Sequence, residues 1–92
     1  MSVIKFVDND PGYLQWIQAN PRGYVLNTYR QPSPNYLIIH RANKRCVSKL
    51  QSGAQHFTKD YIKVCSLNLA ELNDWAYQNV RGHTKPCGNC RP

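Results

Sequence analysis

Four cysteines and three histidines carry most of the reactive chemistry in this chain of 92 residues. Two of the cysteines, Cys87 and Cys90, are separated by two residues in "TKPCGNCRP", residues 84–92. Such a pair can cycle electrons, close as a disulfide or hold a metal. A redox-active pair usually sits at a helix N-terminus, where the thiol pKa falls. Cys87 and Cys90 instead follow the last predicted helix. Disulfides belong to exported proteins, and "MSVIKFVDND" is broken by Lys5 and Asp8, unlike a signal peptide. The chain is therefore expected to be cytoplasmic. No stretch approaches the ~20 apolar residues of a membrane span.

Metal binding is the remaining use. A C-x-x-C turn offers two thiolates to a tetrahedral Zn²⁺, which takes two further ligands. The candidates are Cys46, Cys65, His40, His56 and His83. The expected set is Cys46, Cys65, Cys87 and Cys90, tying residues 84–92 back onto a sheet edge. A set of Cys46, Cys87 and Cys90 with His40 or His83 is the alternative. Either would be a closed structural site without catalytic function.

Charge is the second signal. The formal net charge is +7, and no acid lies between Asp10 and Asp60. Arg22, Arg30, Arg41, Lys44, Arg45, Lys49 and Lys59 all fall in that interval. From Val64 to Val80 the sign reverses, with Glu71 and Asp74 and no base. Charge sorted in this way predicts a basic face. Arg30, Arg41, Lys44, Arg45 and Lys49 are the expected phosphate contacts. Tyr29, Tyr36 and His40 are the expected stacking groups, because exposed rings stack on unpaired bases.

These groups must be positioned by a small set of elements. "DNDPGYLQWIQANP" reads as a helix, with Asp10 as cap, Pro11 in the first turn and Tyr13, Leu14, Trp16 and Ile17 at helical spacing. "NPRG" fits a turn. "GYVLNTYR", "NYLIIHRA" and "YIKVCS" read as strands, the last alternating Ile62 and Val64 against Tyr61, Lys63 and Cys65. The stretch from Asn43 to Asp60 reads mostly as loop, with a short strand at Cys46 to Leu50. Asn68 and Glu71 form a capping box for a last helix that ends at Arg81 and Gly82. The expected fold is a single α+β domain, residues 1–92, in α-β-β-β-α order. Its sheet has three mostly antiparallel strands with both helices on one side.

That order is similar to the order in the double-stranded RNA-binding domain. The family opens its last helix with a lysine cluster, however, and this chain has "NLAELNDWA" there. No function is carried over. With five acids, none of them paired near a histidine in sequence, and no glycine-rich phosphate cradle, an enzyme is not expected. The expectation is a zinc-stabilised, basic nucleic-acid-binding module. Its alternative is an interaction or inhibitor module that docks on an acidic partner.

Overall fold

The computed structural model describes residues 3–50 and 55–88, without the side chain of Cys46. The elements are β1 (Ile4–Phe6), α1 (Asp10–Ala19), β2 (Tyr24–Tyr29), β3 (Ile38–Arg41), α2 (Arg45–Ser48), β4 (Tyr61–Ser66), α3 (Leu69–Val80) and β5 (Lys85–Pro86). The strands form one mixed sheet in the order β1-β4-β2-β3-β5, antiparallel except for the parallel β3–β5 pair.

This corrects the three-stranded expectation at both edges. β1 has only three residues, too few for alternation to stand out, yet Ile4, Lys5 and Phe6 pair with Cys65, Val64 and Lys63. β5 has two residues, one of them a proline. The amides of Lys85 and Cys87 donate to the carbonyls of Leu37 and Ile39. The N–H that Pro86 lacks would have faced the open edge, so its absence costs no ladder bond. The predicted strand at Cys46 to Leu50 is instead part of the one-turn helix α2 and its C-cap, Lys49.

The two long helices lie on opposite faces, not on one side. Val25 and Leu26 are neighbours in β2 and so point to opposite faces. Val25 packs with Phe6, Tyr13, Ile17, Ala42, Val47 and Cys65, the core beneath α1 and α2. Leu26 packs with Leu37, Ile39, Ile62, Val64, Leu72 and Ala76, the core beneath α3. Burying both faces of a central strand is what a run of apolar residues on it requires.

Local chemistry sets the helix ends. Asn9, not Asp10, caps α1, accepting from the Gly12 amide. The Asp10 carboxylate is used elsewhere: it accepts from the amides of Phe57 and Thr58 and from the Thr58 hydroxyl. At α3, Asn68 accepts from the Ala70 amide, while Glu71 accepts from the Ser66 hydroxyl. Ser66 in turn accepts from the Asn68 amide, a relay in place of the direct capping box. α3 stops at Arg81, which takes the left-handed conformation at φ 60°. Gly82 then passes close to the segment before β3: a Cβ there would lie 2.6 Å from Leu37 Cδ1.

Candidate functional site

The sheet register decides the fate of the cysteine cluster. Ile4, Cys65, Val25 and His40 form one row across β1, β4, β2 and β3. Cys87 follows β5, on the far side of β3. Three inter-strand steps of about 4.8 Å separate β4 from β5, roughly 14 Å in all. Zinc holds its thiolates at about 2.3 Å, so two sulfurs that far apart cannot share one ion. The expected set of Cys46, Cys65, Cys87 and Cys90 is therefore not brought together: Cys65 is a core residue. It is fully buried, and burial pushes its thiol up, against the pull of Lys63. Cys90 and the side chain of Cys46 lie outside the described residues. Among the described residues no group of three or more His, Cys, Asp or Glu is arranged to hold a metal. His40 is buried in the sheet, whereas His83 and His56 are exposed in loops.

The cations predicted as phosphate contacts divide between two ends of the sheet. Arg30 follows Tyr29 at one end. Its guanidinium is bidentate to Asp8, at 2.8 and 2.6 Å, and also donates to the Lys59 carbonyl. Hydrogen bonding to Arg30 holds the Asp8 carboxyl below its ordinary pKa. Arg41 is at the other end, paired in register with Tyr24, and its guanidinium lies 5.3 Å from the centre of that ring. Lys44, Arg45 and Lys49 continue from it on α2 and its flanks, all exposed.

None of the five acidic side chains of the chain forms an ion pair with Arg41, Lys44, Arg45 or Lys49 among the described residues. Asp8 is held by Arg30, Asp10 by the Phe57–Thr58 backbone and Glu71 by Ser66. Among the described residues these four cations at the α2 end of the sheet therefore have no paired carboxylate: Lys44, Arg45 and Lys49 lie on and beside α2, while Arg41 shares the α3 face of the sheet with Tyr24 and Ile39.

A second group lies on the α1 face of the sheet, toward the end of β2. Tyr29 and Tyr61 are cross-strand partners, and Tyr36 joins them just before β3. The ring centres are 5.0 Å apart for Tyr29–Tyr36 and 5.5 Å for both other pairs. Tyr29 is 43% and Tyr61 39% exposed. Asn27 donates to the Tyr36 hydroxyl, and Lys63 Nζ donates to Asn27 Oδ1 and the Phe57 carbonyl, at 2.9 and 2.7 Å. Lys63 is buried, and loss of solvent pushes its ammonium down to about 8.

Of the predicted stacking groups, Tyr29 and Tyr36 belong to this cluster. His40 does not. It is only 8% exposed, and burial first, with the Lys63 charge second, holds its pKa at about 4. Tyr61 and Lys63 were missed as site residues, although the alternation in "YIKVCS" already puts both on one face. What alternation cannot supply is the β2–β4 register that sets Tyr61 beside Tyr29.

One acid–histidine pair is also invisible in sequence. His56 Nδ1 lies 3.7 Å from Asp10, across a cleft of about 290 Å³ lined also by Asp8, Pro11, Thr58 and Lys59. Asp10 already accepts three hydrogen bonds there, and the Thr58 hydroxyl is spent on it. Those three bonds, not the histidine, fasten the segment before β4 to the start of α1.

No protein-family model, no curated protein and no solved structure matches this chain, so its function has to be read from these residues themselves.

Proposed function

We propose that this protein is a small basic nucleic-acid-binding module that takes phosphates at the α2 end of its sheet. The observation that carries this reading is the group of Lys44, Arg45 and Lys49, with Arg41 on the other face of the same sheet end, none of them ion-paired to an acidic side chain among the described residues. Cations gathered this way repel one another, and a polyanion relieves the repulsion while releasing its own condensed counterions. Arg41 is partly fixed by Tyr24, so one contact is pre-oriented. Arg30 is not part of the surface, because Asp8 already neutralises it.

The test is a titration of a labelled oligonucleotide of about 20 nucleotides, followed by fluorescence anisotropy at about 50 mM salt. A dissociation constant of about 10 µM or tighter is expected, since non-specific binding typically lies between ~10⁻⁴ and ~10⁻⁶ M at higher salt. No change in anisotropy up to about 100 µM protein contradicts the proposal. Poly-glutamate, added at matched charge, separates this reading from docking on an acidic protein.

A further inference from the structure

We infer that the tyrosine cluster on the α1 face is a platform for unpaired bases, which makes single-stranded nucleic acid the ligand of this protein. The inference rests on the phosphate-binding reading above and adds the chemistry that reading lacks. α1 packs over Phe6, Val25 and Cys65, toward the β1 side of its face. Farther along, the same face carries the row Phe6, Lys63, Asn27, Ile38 and Lys85, and beyond it Tyr61 and Tyr29. Residues two apart on a strand share a face, so these rows and the Cys65–Val25–His40 row form one surface.

Three features suit this surface to bases. Tyr29 and Tyr61 are exposed to about the same degree while their rings are held against each other and against Tyr36. The hydrogen bonds from Lys63 to Asn27 and from Asn27 to Tyr36 brace the cluster from within. Stacking surfaces fixed in advance lose little entropy when a base lands on them. The third feature is continuity. α2 packs at the Arg41 end of β3, and Tyr36 precedes its other end, roughly 16 Å away along the strand. Lys85, exposed and level with Ile38, lies between them. A single strand can set phosphates on Arg45 and Lys49 and carry its bases along β3 to the tyrosines. A duplex keeps its bases stacked inside and can use the cations only.

The experiment compares a labelled single strand with the duplex of the same length and sequence, for the unaltered protein and for the Tyr29→Leu/Tyr61→Leu variant. The unaltered protein is expected to hold the single strand at least about tenfold more tightly, the stacking of one base or more. The variant is expected to lose that preference and keep its duplex affinity. Equal affinity for both forms in the unaltered protein, which requires no variant to fold, overturns the inference and leaves the phosphate reading standing. So does a variant that keeps the full preference. Binding of neither form overturns both. Displacement of the strand by poly-glutamate at matched charge assigns the surface to an acidic protein and also overturns the inference.

Discussion

Replacing Arg45 and Lys49 with glutamate is expected to weaken oligonucleotide binding about a hundredfold at 50 mM salt. The size follows from counterion release. On a single strand each phosphate contact contributes about 0.7 to the logarithmic salt slope, so at 50 mM it is worth roughly one decade of affinity. Two contacts give about two decades, and the loss should shrink to about tenfold at 200 mM. Both side chains are exposed, and neither is in an ion pair among the described residues, so the fold has little reason to respond. Arg30→Ala supplies the contrast. That change breaks the Asp8 pair and should leave binding within about twofold, since a cation already neutralised by a carboxylate has little to offer a phosphate. Equal losses from the two variants would show that total charge, rather than the α2 cluster, governs binding.

The second large effect is acid destabilisation through His40. Its pKa is lowered from 6.5 to about 4 by burial and by the Lys63 charge. Between those values the unfolded chain binds a proton that the folded protein refuses. Stability from this residue is therefore complete above pH 6.5 and falls as the pH drops toward 4. At about 1.4 kcal/mol for each pKa step, the loss across that window is about 3 kcal/mol, a large share of a small domain's stability. Asp8 and Asp10 also have lowered pKa values, and their contribution is lost as the pH falls through the ordinary value of 3.8, beginning about one pH unit above it. The upper part of the His40 window, which includes pH 5.5, is clear of both carboxylates. Urea unfolding at pH 7, 5.5 and 4 should give a steep decline for the unaltered protein and a flatter one for His40→Gln. Parallel profiles for the two proteins would assign the acid sensitivity elsewhere.

Much of the fold was legible because its strongest elements announce themselves locally. Helical spacing marked α1 and α3, aromatic and β-branched content marked β2, and alternation marked β4. The edges were not legible. β1 and β5 exist because β4 and β3 offer them ladder partners, and no pattern in three residues, or in a lysine and a proline, encodes a partner. Asp10 shows the same limit in one residue: its sequence position suits a cap, but its carboxylate is drawn to residues 57 and 58, leaving Asn9 to cap the helix. The site followed suit. Cation clustering in "HRANKR" survives folding, since a turn and a one-turn helix keep sequence neighbours together. Arg30 and Cys65 were misplaced because their fates depend on contacts far along the chain, with Asp8 and with the two-sided core.

The most direct test of the central claim is the dependence of oligonucleotide affinity on salt. Four phosphate contacts at the α2 end predict a slope of about −3 when log affinity is plotted against log salt concentration, a loss of about sixtyfold between 50 and 200 mM. A slope near zero over that range would mean that the cations of α2 meet no phosphate, and would contradict the account.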